Sequence, residues 1–156
     1  MMQHTFALSG QPLDLKGIPA YVPVPLSNPT TQVTVVDGPL VIGCGHSTLQ
    51  RIVGRAEMLF DEPLYGIVGG LHYPVTASRE VKLGLPLQRI FGTGKFPWDP
   101  ISQQDVEAAI AYLQRRHPRL VALSPHDSCD WSIEAFRSAF GAAYRDVQVG
   151  KEIVVG

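Results

Sequence analysis

Three short apolar runs in this chain each end in a break that carries a histidine. Leu40-Val41-Ile42 leads into Gly43-Cys44-Gly45-His46, and Tyr65-Gly66-Ile67-Val68 into Gly69-Gly70-Leu71-His72. Leu120-Val121-Ala122-Leu123 leads into Ser124-Pro125-His126-Asp127. Runs of this length bounded by turn residues read as buried strands. As neighbours in one sheet they would deliver their imidazoles to the same edge, where open α/β sheets place binding sites. Converging imidazoles make His46, His72 and His126 candidate metal ligands.

The chain has 156 residues, a one-domain length with room for a core. Its 45 % hydrophobic and 17 % charged residues place it among globular proteins of low charge. A formal net charge of −1 gives no electrostatic reason to expect nucleic acid or an anionic membrane as partner. No apolar run approaches the roughly 20 residues of a bilayer span, and the first residues lack the pattern of a secretory signal. Cys44 and Cys129 are too few for a disulfide scaffold, which points to a reduced, cytoplasmic setting.

Residues 1–30 hold five prolines and read as a Pro-rich N-terminal arm or the lead-in to an edge strand. Residues 31–156 form the domain proper. Thr31–Val36 and Pro39–Ile42 flank Asp37-Gly38 and predict a hairpin. Ser47-Thr48-Leu49-Gln50 resembles a capping box before a helix whose inner face is Leu49, Ile52, Val53, Ala56 and Leu59 or Phe60. Leu64–Val68 is a strand stopped by Gly69-Gly70. A long loop over 73–101 follows, a length that in compact domains usually marks function. Ser102–Asp105 caps a second helix, with Val106, Ala109, Ile110 and Leu113 inward and Arg115-Arg116 as a solvated end. After the strand Leu120–Leu123, Asp130 caps a third helix carrying Ile133, Phe136 and Phe140, closed by Gly141. Ala143–Val149 and Glu152–Val155 read as two last strands. The sum is about six strands and three helices in α/β order.

Within the loop, Gly92-Thr93-Gly94-Lys95 is followed by Phe96-Pro97-Trp98, so the Walker pattern fails. Lys95, Phe96 and Trp98, with Arg89, read instead as a substrate lid over the histidine edge, against the plainer reading of a surface loop anchored by Trp98. His117, before Pro118, stands apart from the three motifs.

Taken in order, Gly43-Cys44-Gly45-His46-Ser47, Gly69-Gly70-Leu71-His72, Leu123-Ser124-Pro125-His126-Asp127 and Val149-Gly150-Lys151-Glu152-Ile153 resemble the C-terminal half of a metallo-β-lactamase-fold hydrolase. The branch they are most similar to is that of dihydropterin ribofuranosylaminobenzene phosphate synthase, and the resemblance covers residues 31–156. It implies that His46, His72 and His126 ligate zinc or another divalent metal, and that metal-bound hydroxide attacks an ester or phosphoester. Asp127, Asp130, Cys44 and Cys129 then fall as second-sphere groups or occasional ligands.

The family's other ligands come from a His-x-His-x-Asp-His motif, and only His4 precedes His46 here. The resemblance therefore implies half of an αββα sandwich, three helices on one face of its sheet, with an incomplete active site. Apolar residues on the other face, such as Val35, Val41 or Val121, would need cover, from a second copy in a homodimer or from a separate chain supplying the missing half. The expected function is a metal-dependent hydrolase acting on a small molecule. The alternative is a non-catalytic metal-binding or assembly module that has lost half of the ancestral site.

Overall fold

A computed structural model describes residues 3–7, 32–36, 38–76, 89 and 98–155. Its sheet is built outward from the hairpin. Strand β2 (Gln32–Val36) pairs antiparallel with β3 (Pro39–Cys44), with Val35 opposite Leu40, so the link is two residues long. Gly38 takes φ +108°, which a side chain there would resist. An edge strand β1 (Gln3–Ala7) pairs antiparallel with β2. On the other side β4 (Gly66–Gly70) and β5 (Leu120–Leu123) add in parallel, giving the order β1-β2-β3-β4-β5. The three histidine-bearing runs are therefore adjacent and parallel, and their carboxyl ends share one rim.

Helix α1 (Leu49–Leu59) connects β3 to β4, α2 (Gln103–Gln114) precedes β5, and α3 (Asp130–Phe140) follows it. Leu40, Ile42, Ile67, Val121 and Leu123 share one core with Ile52 and Val53 of α1, Val106 and Leu113 of α2, and Phe136 of α3. All three helices thus cover the same face. Phe136, fully buried, stacks between Tyr73 and Phe140 at 5.8 Å from each.

Several expectations are revised. Five strands form among the described residues: past α3, Tyr144 makes one isolated bridge to Val121 and no further strand follows. Strand β4 runs through Gly69-Gly70, because these glycines pair with Ile42 and Cys44 instead of ending the ladder. Helix α1 begins one residue later than a capping box at Ser47 requires, so Thr48 is its N-cap and makes no side-chain capping bond. The box on α2 does form, with Ser102 Oγ accepting from Asp105 N–H and Asp105 accepting from Ser102 N–H. On α3 the N-cap is Cys129, and Asp130 lies in the first turn, where its charge complements the helix dipole. Gly141 closes that helix at φ +47°.

Val121 faces the helices and is fully buried, so it does not need outside cover. On the opposite face Val41 is 39 % exposed, while Leu120 and Ala122 are buried. The side chain of Val35 lies outside the described residues. No helix among them is long and apolar enough to cross a membrane.

Arg116 is more than a solvated end. It donates to both Glu57 oxygens at 2.6 and 3.0 Å and lies 3.7 Å above the Tyr112 ring, fastening α1 to α2. Its hydrogen bond holds the Glu57 carboxyl below the usual carboxylate range. The contribution is present above the ordinary carboxylate pKa and is lost as pH falls through the lowered one. The pair is partly exposed, so Glu57→Gln is expected to cost at most about 1 kcal/mol at neutral pH. Denaturation curves of variant and parent should converge in acid; a gap persisting there refutes the ion pair as its source.

Gly54 of α1 offers a second test. A methyl group there meets nothing within 4 Å, and the backbone is helical. Gly54→Ala should raise the unfolding free energy by about 0.5–1 kcal/mol, read by chemical denaturation.

Candidate metal centre

Each loop leaving the parallel rim contributes to one cluster. Strand β3 carries a bulge at Gly43, between the pairs Ile42–Gly69 and Cys44–Gly70. The extra residue resets the alternation, so Cys44 does not follow Leu40 and Ile42 into the helix-covered core but lies beside Gly70 at the rim. Two residues past β4, His72 adopts φ +56°, a left-handed conformation that costs a histidine about 1–2 kcal/mol. Its N–H donates to Asp127 Oδ2 at 3.2 Å, which anchors that turn to the loop after β5. Sparsely populated backbone conformations of this kind cluster at binding and catalytic sites.

Asp127, 1 % exposed, is the hub. Its Oδ1 accepts from Ser128 Oγ at 3.2 Å, which in turn accepts from Tyr73 N–H. Its Oδ2 lies 3.9 Å from Cys44 Sγ, 3.9 Å from His72 Nδ1 and 3.7 Å from His126 Nε2. Cys44 Sγ and His72 Nδ1 are 3.7 Å apart. Cys44, His72 and Asp127 therefore form a nearly equilateral triangle of sulfur, nitrogen and oxygen. A point equidistant from the three lies about 2.2 Å from each, the length of ordinary zinc–ligand bonds.

His46, half-buried, stacks obliquely on His72 with ring centroids 5.1 Å apart, and its donor atom groups with those of Cys44 and His72. His126 is 53 % exposed along its side chain and groups with Cys44 and Asp127. Its Nδ1 is 2.8 Å from Ser124 Oγ, which leaves Nε2 turned to the carboxylate. The three imidazoles thus border one cluster but do not form a single ligand set; the two sets they enter share Cys44.

Burial pushes the Cys44 thiol up to about 11, with the neighbouring Asp127 charge and hydrogen bond adding to the effect. Burial likewise raises the Asp127 carboxyl, against the pull of His126, His72 and the hydrogen bonds from the Ser128 hydroxyl and the His72 N–H. Both shifts describe anionic donors that are costly without a counter-charge and would be relieved by a bound cation.

The remaining candidates lie elsewhere. Cys129 is buried in the core with Sγ between Thr76 N–H and Ser132 Oγ, outside both ligand sets. Asp130 is on the exposed start of α3 and outside them too. Lys95 and Phe96 lie outside the described residues, and Trp98 is 79 % exposed. His117 takes φ +49° just past α2 and donates its N–H to Gln114 O, a helix-closing role. Ser124 and Ser128, which sequence reading passed over, orient His126 and Asp127. No family model matches the chain, and no curated protein does.

Proposed function

We propose that this domain binds a single divalent cation, preferentially zinc, on Cys44, His72 and Asp127, with His46 and His126 completing or flanking the site. The observation that carries the reading is the sulfur–nitrogen–oxygen triangle with sides of 3.7, 3.9 and 3.9 Å at the carboxyl rim of three parallel strands. A mixed set of one thiol, imidazoles and a carboxylate suits zinc better than magnesium or calcium, which prefer oxygen. Because both ligand sets need Cys44, the arrangement favours one cation over a pair.

The order of the motifs supports descent from a metallo-β-lactamase-like hydrolase, and an ester or phosphoester is the substrate class this reading carries. Zinc held here would supply Lewis acidity and bring a neighbouring water towards neutral pKa. The chain's own groups divide the rest. Ser128 and the His72 N–H hold Asp127 in place, Ser124 fixes the His126 ring, and half-buried His46 stands beside His72 with its donor atom near Cys44.

Elemental analysis of the full chain after zinc loading and dialysis tests this. One zinc per chain is expected, lost in Cys44→Ser and in His72→Asn; asparagine keeps the left-handed backbone tolerable and isolates the lost imidazole. No bound zinc, or zinc retained in both variants, overturns the reading. The single-cation arrangement also favours the second reading, a metal-binding module without catalysis. Zinc-loaded protein that turns over neither nitrophenyl acetate nor bis-nitrophenyl phosphate would select it.

A further inference from the structure

The chain leaving β4 stays inside the protein after it passes the rim. Residues 71–75 belong to neither helix nor strand, yet Leu71, His72, Tyr73 and Val75 are each at most 9 % exposed. Irregular backbone buried in this way must find its hydrogen-bond partners within the protein. The stretch from Asp127 to the first turn of α3 supplies them. Asp127 Oδ2 accepts from the His72 N–H and Ser128 Oγ from the Tyr73 N–H, so one side chain holds each peptide plane beside the His72 α-carbon.

One plane further on, the Tyr73 carbonyl accepts from three donors: Ser132 Oγ at 2.8 Å, the Val75 N–H at 3.0 Å and the Cys129 N–H at 3.2 Å. The Ser132 bond is the shortest, and that residue is fully buried. Because a carbonyl can only accept, the Ser132 proton is committed to it. Cys129 Sγ, 3.2 Å from Ser132 Oγ, therefore donates to that oxygen and itself accepts from the Thr76 N–H at 3.4 Å. The four groups form one chain, from the Thr76 N–H through the Cys129 thiol and the Ser132 hydroxyl to the Tyr73 carbonyl. It clasps both ends of residues 73–76 to the start of α3.

Asp127 Oδ2 is both the acceptor that holds the left-handed turn at His72 and a corner of the donor triangle. A cation drawing on that oxygen competes with the His72 N–H for it. The turn, unsupported, would gain by relaxing to a right-handed conformation that carries the imidazole away. The Tyr73 clasp uses no atom of the triangle, so it holds the turn while the carboxylate is engaged. We propose that Ser132 is a positioning residue that, through the Tyr73 carbonyl, keeps His72 aimed at the metal centre. The inference rests on the metal reading for its function, whereas the clasp itself needs no metal.

Ser132→Ala in the full chain tests it, with Ser138→Ala, at an exposed position of the same helix, as control. Alanine is a good helix former and leaves the Tyr73 carbonyl two N–H donors, so the fold should stand. In chelator, amide hydrogen exchange at His72 and Tyr73 should quicken roughly 2- to 10-fold, the worth of one neutral hydrogen bond. Zinc affinity, measured by competition with a chromophoric chelator, should fall by a similar factor. In the cobalt(II)-loaded variant the charge-transfer band of the Cys44 thiolate should persist while the ligand-field bands change, because the imidazole is displaced and the thiolate is not. Ser138→Ala should move none of the three. Faster exchange with unaltered zinc affinity and cobalt spectrum would make Ser132 a merely structural group and overturn the proposal, as would parental exchange in Ser132→Ala. A parent chain that takes up neither metal sinks the metal reading, and the exchange difference alone then decides whether Ser132 holds the His72 turn.

Discussion

A Gly70→Ala chain is expected to lose the zinc binding proposed above and to unfold more easily than the parent. A β-carbon at position 70 would overlap the Asp127 carboxylate and come within 2.6 Å of Gly43 O and 2.8 Å of His126 Cε1. Gly43 is the bulge that sets Cys44 at the rim, so one methyl group presses at once on two members of the cluster and on the backbone that positions a third. Overpacking of this kind costs roughly 1–3 kcal/mol, and with backbone among the obstacles the upper end applies. Denaturation together with zinc stoichiometry reads both effects, and Gly54→Ala, where the added methyl meets open space, is the control. A Gly70→Ala protein holding one zinc at parental affinity would mean that Asp127 and His126 do not close on β4.

The second large effect is at Asp127, where two substitutions should separate structure from metal. Alanine leaves the His72 N–H and the Ser128 hydroxyl without their acceptor in a buried place, a loss of about 1–3 kcal/mol for each group left unsatisfied. Asparagine keeps one acceptor oxygen for the His72 N–H. Because burial penalises the ionised carboxylate, Asp127→Asn should cost little in the metal-free protein. Its zinc affinity should nevertheless fall by more than the roughly 10- to 100-fold that loss of an outer-shell partner costs. Asn and Ala variants that lose stability equally, with zinc affinity intact in both, would reduce Asp127 to a packing residue.

The sheet's centre and the rim were legible because each rests on a local pattern. The alternation before Gly38, the apolar runs and the breaks after them place β2 to β5, and parallel neighbours then bring His46, His72 and His126 to one edge. Helix faces were legible for the same reason, as Ile52, Val53, Val106, Leu113 and Phe136 are all buried. What could not be read depends on the third dimension. Nothing in the spacing of Cys44 and Asp127 says they approach within 3.9 Å, because that closeness comes from the Gly43 bulge and the left-handed turn at His72. Glycines usually end strands, yet Gly69 and Gly70 extend β4, since close approach of Asp127 and the neighbouring strand leaves no room for a side chain. The C-terminal valines alternate like a strand, but among the described residues they have no paired edge: Val149 and Val154 are exposed, and Tyr144 alone bridges to β5.

The triangle of donors draws one corner from each of three strand ends. No contiguous stretch of chain carries it, so an unfolded or half-formed sheet has little hold on the cation. Any ion seated there acts as a thermodynamic rivet through the register of β3, β4 and β5. At a free concentration of 100 times Kd it would add about 2.7 kcal/mol to the work of melting. The supply of the ion, as much as the packing behind it, would then decide how often this rim comes apart.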